Sequence, residues 1–434
     1  MLNRIQISNF RNITTQLVSD LSAVNVFVGE NGAGKTSVLE SIYTLGHGRS
    51  FRKQGGQRDA LVRYGADRLV VFGEQTVWGG SSSAEELVLG KDRIGLSRAV
   101  NGDIQIKING EKVHRVSEVA LRLPMVALNA DTFDLLTGGA GERRRYLDWL
   151  VFHVEHTFRE VSRRYTNALQ QRNAVLRAIV KSNKASGAKG DRGPGVKGEG
   201  DPHLSQIEVW TKTVSELGEY VSDLRNRQFA QINRLFFDVL HQLGGDVLGL
   251  ELRYRQGWAQ GQSLEEALAS GLETDMARGF TQFGPHRAEI QVVVGKDVAG
   301  QARLARDVLS RGQLKLVVLA MKLAQIRFFQ GLSNERGAAK GGVTIGVDGS
   351  LAPRKPAKGA AGNLYLLLDD IAAELDQPKL AVVGRVLSEF AEAGSLQVFA
   401  TATTRAILDP MLSAFCGVST RVFHVEQGAI VDIE

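Results

Sequence analysis

Cysteine is nearly absent from this chain. Cys416 is the only one in 434 residues, so no internal disulfide can form and a disulfide-stapled scaffold is excluded. Uncharged apolar runs long enough to cross a bilayer are lacking, and Met1–Asn12 has no charged-then-apolar leader pattern. A cytoplasmic protein with no membrane association is therefore expected. Proline is scarce, at 8 residues, and aromatic side chains make up 7%. Charge of one sign does not dominate: 53 basic against 47 acidic residues leave +6, although a pI of about 9.3 is compatible with an anionic partner. With 43% hydrophobic and 23% charged residues, a wholly disordered chain is excluded, and the length suits roughly two to three domains.

Glycine, by contrast, is abundant. The chain holds 48, many of them in two stretches, Asn183–Pro202 and Gly337–Asn363, that have too little apolar content to fold by themselves. Both are expected to be flexible insertions, with outer limits at 183–203 and 333–363. The first could instead be a basic strap on nucleic acid, but a solvated surface loop is the simpler reading.

Organisation follows from periodicity. Gln6-Ile7 and Asn9-Phe10 alternate as in a strand, and Val24–Val28 is an apolar run leading into a glycine-rich turn. Arg68–Gln75, Glu86–Leu89 and the Asn101-Gly102 and Asn109-Gly110 pairs predict antiparallel hairpins, because Asn-Gly supplies the positive φ of tight turns. From Gly141 the pattern turns helical. Ile207, Trp210, Val214, Leu217, Val221 and Leu224 step by threes and fours, and the seam restarts out of phase at Phe229, Ile232, Phe236 and Val239. Phe158, Val161, Tyr165, Ala168, Val175 and Ile179 repeat the spacing, interrupted by Arg172. Two antiparallel helices joined through 183–203 would make a short coiled-coil arm; an ordinary packed helical subdomain is the alternative.

Gly29-Glu30-Asn31-Gly32-Ala33-Gly34-Lys35-Thr36 matches G-x-x-x-x-G-K-[ST] between a strand and the helix predicted over Thr36–Leu45. Backbone N–H groups of such a loop wrap a β-phosphate, Lys35 neutralises β/γ oxygens and the Thr36 hydroxyl can ligate Mg²⁺. Downstream, Leu364–Leu368 is a buried-strand run ending in Asp369-Asp370. Asp369 is placed to hold the metal and Asp370 to orient or deprotonate water, although two acids also end many ordinary strands. Between these motifs, Leu309-Ser310-Arg311-Gly312-Gln313 opens an apolar-periodic helix. A second phosphate-binding helix end makes sense if it completes the site of a second molecule, giving a head-to-tail pair with two nucleotides between them. The order of loop, LSxGQ, paired acids and Glu374-Leu375-Asp376 is that of ABC ATPases.

The resemblance can then be named. Asn9–Ile13, Gly29–Thr36, Gly48–Arg52, Arg143–Trp149, Gln171–Asn173, Gly284–Arg287, Leu309–Gln313, Leu367–Asp376 and His424–Gly428 together resemble the bacterial RecF family over nearly the whole chain, apart from the two glycine-rich insertions. That resemblance implies an α/β, SMC-like ABC-type ATPase head with a β-rich lobe and an inserted helical arm. The expected divisions are 1–115, the first part of the head; 116–260, the helical arm; and 261–434, the remainder of the head. It implies ATP and Mg²⁺ as cofactors, an ATP-dependent homodimer, and a weak DNA-dependent ATPase activity. Double-stranded and gapped or single-stranded DNA, RecR and RecO are the implied partners, in repair that loads RecA at single-strand gaps, in a nucleoid-associated cytoplasmic protein.

Carried onto this sequence, the family pattern assigns nucleotide contact to Gly29 through Ser37, with Arg11 and Asn12 beside them. Ser310, Gly312 and Gln313 would act across the dimer, and Asp376 would lie at its seam. Catalysis would rest on Lys35, Asp370 and Ser310, and metal binding on Thr36 and Asp369. Ala130, Ala140 and Ala373 depart from the family pattern. No Q-loop glutamine is evident, with Asn129 as substitute, and Thr401 and Thr403 stand where a histidine switch is usual. Asp370, shorter than the usual Glu, fits a slow timer better than a fast motor. For DNA, Arg49, Arg52, Lys53 and Arg58 cluster after the loop helix, and Arg143, Arg144 and Arg145 crowd a helix start; ion pairs with Glu142 and Asp148 are the competing reading. His286-Arg287 is expected to pin a turn. With little aromatic interleaving, backbone and junction-shape recognition is expected. Two other functions stay open: a non-hydrolysing ATP-bound scaffold for RecR, and a transporter-type ATPase subunit.

Overall fold

The computed structural model describes residues 1–52, 61–80, 87–185, 202–245, 247–296, 300–336, 342–345, 351–354, 363–392 and 396–433. The first third alternates two sheets. β1 (Leu2–Phe10), β2 (Ile13–Val18) and β3 (Val24–Val28) precede α1 (Lys35–His47); then come β4 (Arg68–Gly80), β5 (Leu87–Ala99), β6 (Ile104–Ile108) and β7 (Glu111–Val113). α2 (Val116–Arg122), β8 (Met125–Leu128), a 3-10 turn over Ala130–Phe133 and α3 (Asp134–Thr137) lead into the helical region. That region holds α4 (Ala140–Val154), α5 (Phe158–Ala185) and α6 (Pro202–Gln242), followed by β9 (Leu250–Arg255), α7 (Leu264–Ser270) and α8 (Leu272–Arg278). β10 (Glu289–Lys296), β11 (Ala302–Leu304), α9 (Ala305–Val308), α10 (Arg311–Arg336), β12 (Gly342–Ile345) and β13 (Leu351–Arg354) come next. The chain closes through β14 (Leu364–Leu368), α11 (Ile371–Glu374), α12 (Gln377–Glu392), β15 (Leu396–Ala402), α13 (Arg405–Leu412), β16 (Thr420–Glu426) and β17 (Ala429–Asp432).

The main sheet runs β17-β16-β3-β15-β14-β8, parallel throughout except for the terminal β16–β17 hairpin. Every residue of β3, β14 and β15 is buried, as expected of parallel strands covered on both faces. Alternation sorts their side chains. Phe27, Leu367 and Phe399 face the core containing Val38, Leu39 and Ile42 of α1 and the antiparallel sheet β2-β1-β4-β5-β6-β7. Val26, Leu366, Leu368 and Val398 face the helical core. The parallel order brings the carboxyl ends of β3, β15, β14 and β8 side by side, the usual place for a ligand crevice in such sheets.

The hairpins expected after Arg68 are present, with Asn109 at φ 53 and Gly110 at φ 88 in the β6–β7 turn. The helical arm differs from a free two-helix coil. α5 and α6 do pack on each other, and the seam residues Ile207, Val214, Val221 and Leu224 are buried. But α7 packs on α6 and α8 on α5, while the later part of α6 packs on α10. Arg172 explains its own interruption of the seam: it is fully buried, pairing with Asp275 of α8 at 2.7 Å and bonding Thr281 and Thr211 at 2.7 and 3.0 Å. β9 pairs along β10 across the expected division at 260/261, and β8, expected with the arm, completes the main sheet. Helix continues to Ala185 and resumes at Pro202, and the second insertion contains the β12–β13 hairpin, with α10 reaching Arg336. The rest of both insertions, and Lys53 and Arg58, lie outside the described residues.

Candidate functional site

The loop between β3 and α1 is shaped by its glycines and by neighbours from distant parts of the chain. Gly29 has φ 156 and Gly34 φ 115; a Cβ on Gly29 would stand 2.1 Å from the Val425 carbonyl oxygen, and one on Gly34 2.7 Å from Asn12 Nδ2. Gly428, in the closing hairpin, donates its N–H to the Ala33 oxygen at 2.8 Å. Asn12 donates to the same oxygen at 3.2 Å and accepts from Ser37 Oγ at 2.9 Å. Arg11 pairs instead with the buried Glu40 of α1, which also accepts from Ser50. Arg11, Asn12 and Ser37 thus brace the loop and also line the cavity beside it, together with Asn31, Gly32, Gly34, Lys35 and Thr36; Gly29, Glu30 and Ala33 shape the loop from behind.

Lys35 is buried, and its ammonium donates to the carbonyls of Gly29 and Glu30 at 2.7 and 2.8 Å. Burial lowers its pKa, while the carboxylates of Asp370 and Asp369 raise it. Thr36 Oγ1 donates to Asp369 Oδ1 at 2.8 Å, joining the first turn of α1 to the carboxyl end of β14. Thr401, at the end of the intervening β15, donates to the same oxygen at 3.0 Å and accepts from the Asp370 N–H at 2.9 Å. Burial raises the Asp369 pKa; the Thr36 and Thr401 hydrogen bonds and Arg52, 3.8 Å away, oppose that. Asp370 sits at φ 52 in the left-handed region and opens α11, exposing its carboxylate. Asn and Asp are the non-glycine residues that adopt this conformation most readily.

These groups surround a cavity of about 690 Å³, large enough for a nucleoside triphosphate. Asn129 reaches it from β8, but its Oδ1 already accepts from Thr132 Oγ1 at 2.7 Å. Among the described residues no cluster of three or more His, Cys, Asp or Glu could hold a metal. A Thr–Asp pair alone suits Mg²⁺, which takes one or two protein oxygens and completes its shell with phosphate and water. Thr36 and Asp369 therefore fit that ion.

The family described as RecF/RecN/SMC N terminal domain matches residues 1–429. A protein named DNA replication and repair protein RecF from Hahella chejuensis is 31% identical over 441 residues, covering 100% of this chain and 99% of its own. One of the same name from Shewanella piezotolerans is 32% identical over 434 residues, covering 100% and 99%. The chain belongs to the RecF family. In fold it is similar to a solved structure described as the recombination mediator protein RecF with ATP in the RecFOR pathway, with TM-score 0.72, 22% identity and coverage of 100% and 97%. It is also similar to an Smc head domain from Pyrococcus furiosus, with TM-score 0.52, 13% identity and coverage of 100% and 95%. An SMC-like α/β head is the shared architecture.

Placed on this RecF-family chain, the remaining motif residues divide. Ser310 and Gln313 are exposed at the start of α10, away from the cavity wall. Each caps the other: Gln313 Oε1 accepts from the Ser310 N–H at 3.0 Å and Ser310 Oγ from the Gln313 N–H at 3.3 Å. Gly312 is exposed and open around its Cα. Asp376 is exposed and caps α12 through the Lys379 N–H at 3.0 Å; Lys379 Nζ, 2.7 Å away, helps hold its carboxyl below the usual range.

Of the basic residues expected at DNA, Arg49 and Arg52 are exposed beside the nucleotide cavity. Arg143 is not available: its buried guanidinium donates to the carbonyls of Leu135, Leu136 and Gly138 and pairs with Glu289. Arg144 donates to the Ala288 carbonyl at 2.8 Å, and burial lowers its pKa. This helix start is an internal brace, because the turn beneath it leaves carbonyls that only a buried cation satisfies. His286 pins its turn as expected, with Nδ1 2.7 Å from Tyr165 Oη and Nε2 3.2 Å from the Thr281 oxygen. The residue that motif reading left unassigned and the site most depends on is Thr401. Its signal was its position at the end of an apolar strand, where the family pattern expects a histidine.

Proposed function

We propose that this chain is an ATP-dependent DNA-binding protein of recombinational gap repair and replication. ATP closes two heads on DNA, slow hydrolysis reopens them, and RecO and RecR, with the protein, help RecA load at single-strand gaps. The observation that supports this reading most directly is the meeting of Thr36, at the start of α1, with Asp369 and Thr401 at adjacent strand ends, with Asp370 exposed beside them. Lys35 and the loop N–H groups would hold the β- and γ-phosphates, and Thr36 and Asp369 the Mg²⁺ ion, which when bound neutralises phosphate charge. Asp370 would accept the proton of the attacking water, its free carboxylate facing the cavity. Ser310, Gly312 and Gln313, distant from the cavity of their own chain, would present the α10 N-terminus to the partner's γ-phosphate. Arg49 and Arg52 would supply contacts to the DNA backbone.

The family relatives named for DNA replication and repair, and the likeness to a RecF–ATP structure, support this assignment over a transporter subunit. A cytoplasmic location on the nucleoid accords with it; no described helix is long and apolar enough to cross a membrane. The test is sedimentation mass with and without ATP and duplex DNA, for the unaltered chain, Lys35→Met and Ser310→Arg. A dimer that requires ATP and is lost in both variants is expected. A monomer throughout, with DNA binding indifferent to nucleotide, would overturn the clamp. ATP-dependent dimers with no phosphate release would favour the scaffold reading instead.

A further inference from the structure

A second cavity, of about 350 Å³, opens next to the nucleotide cavity and shares Arg52, Asn129 and Asp131 with it. Its wall combines two chemistries. Four cations, Arg49, Arg52, Arg145 and Lys322, stand among four rings, those of Tyr43, Phe51, Tyr146 and Trp149. Asp131 and Glu142 are the carboxylates. Aromatic side chains make up only 7% of the chain, and here α1, α4 and α10 bring several of them beside cations.

The cations are unevenly committed. Arg145 pairs with Glu142, and Arg52 lies 3.8 Å from Asp369. Lys322 projects from α10 with its ammonium 5.7 Å from the Tyr146 ring centroid. Burial pulls its pKa down to about 8, and Glu142 opposes this. The Tyr43 ring stacks on His47 at 4.1 Å and meets Phe51 edge-on at 5.6 Å. Trp149 stands against His153, with ring centroids 4.4 Å apart, so the rings of the wall are held in place by their neighbours. The volume lies in the range of small-ligand sites.

We propose that this second cavity receives one unpaired nucleotide of a DNA strand, its base among the rings and its phosphate at the cations. An acidic peptide suits the wall less well. It would offer no flat surface to the rings and would meet Asp131 and Glu142, whereas those carboxylates can accept from the amino groups of a base. Stacking on a π-face is tolerant of sequence, so the pocket would select unpairedness and not a particular base. The inference rests on the DNA-binding reading and deepens it: a duplex with a single-stranded extension offers such a nucleotide and a blunt duplex does not. Because Arg52 and Asn129 belong to both cavities, occupancy of one is expected to alter affinity at the other.

The experiment compares, with ATP and Mg²⁺, binding of a blunt duplex and of the same duplex carrying a short single-stranded extension with 2-aminopurine at its first unpaired position. The extension is expected to tighten binding about tenfold, within what one stacked base contributes, and to change the 2-aminopurine fluorescence. Lys322→Gln should lose both effects and keep blunt-duplex affinity; Lys322→Arg should retain them. Phe51→Leu, which removes a ring of the wall and not a charge, supplies a second variant should Lys322→Gln fold poorly, and should reduce the preference by about threefold. Equal affinity for both duplexes, or an unchanged preference in folded Lys322→Gln, overturns the pocket while leaving the clamp intact. Absence of binding to either duplex overturns the clamp and the pocket together. Competition by a poly-glutamate peptide, with none by a 5′-phosphorylated trinucleotide, also overturns the proposal and reassigns the cavity to an acidic protein segment.

Discussion

Thr36 and Asp369, separated by 333 positions in the chain, share a 2.8 Å hydrogen bond that joins the helix following β3 to the end of β14. The strand between them, β15, supplies Thr401, whose hydroxyl reaches both Asp369 and the Asp370 N–H. One hydroxyl therefore fixes the orientation of the Asp369 carboxylate and the left-handed backbone turn that exposes Asp370.

Removing that hydroxyl should separate chemistry from binding. Thr401→Val keeps the shape and leaves the Asp370 N–H and an Asp369 oxygen short of a partner, at a cost of about 1–3 kcal/mol. ATP affinity should stay within about threefold while hydrolysis falls at least about tenfold. A nucleotide titration alongside a phosphate-release assay checks this; unchanged turnover would show that Thr401 does not position the acids.

The Arg172–Asp275 pair, with both side chains fully buried, predicts asymmetric damage. Arg172→Met strands a carboxyl whose pKa burial already raises, and should destabilise by about 3–5 kcal/mol. The double variant Arg172→Met, Asp275→Leu should recover a substantial part of that loss. Urea denaturation of the unaltered chain, Arg172→Met, Asp275→Leu and the double variant measures it, and full additivity of the two single changes would contradict the pairing.

Arg143→Ala should act on folding and not on DNA. Its guanidinium satisfies three carbonyls and Glu289, so a loss of about 2 kcal/mol is expected, with duplex affinity at a temperature where the variant is folded unchanged within about twofold. A selective loss of DNA affinity at unchanged stability would restore this arginine to the DNA face.

Acid should weaken the fold through two histidines. Burial holds both His47 and His286 at about 4, below the ordinary value of 6.5. Folding thus keeps them neutral, whereas the unfolded chain takes up protons near 6.5. Stability from these groups is present above that value and lost as pH falls from about 6.5 towards about 4. The thermal midpoint should fall through this window, and His286→Gln should shallow the slope. A slope identical to that of the unaltered chain would remove His286 from the account.

Much of the nucleotide site was legible locally. The 29–36 loop, Asp369-Asp370 and Leu309–Gln313 are contiguous motifs whose chemistry depends on backbone geometry at a strand end or helix start, and contiguous residues encode that geometry directly. The parallel strands were legible for the same reason, since burial on both faces leaves unbroken apolar runs such as Leu364–Leu368. Arg143 and Arg144 were not, because a cluster of cations looks the same in sequence whether it faces phosphate or its own chain's carbonyls.

The sequence by itself determined which side chains could bind phosphate and metal, where strands alternate with helices, and that no disulfide participates. Tertiary structure alone decided which distant groups meet: Thr401 between the two acids, Gly428 against Ala33, Arg172 against Asp275, and rings with cations around the second cavity. The physical reason is the range of the interactions. Motif geometry and hydrophobic periodicity act over a few residues, whereas hydrogen bonds and ion pairs depend on the strand order and helix packing that bring remote segments within 3 Å of one another.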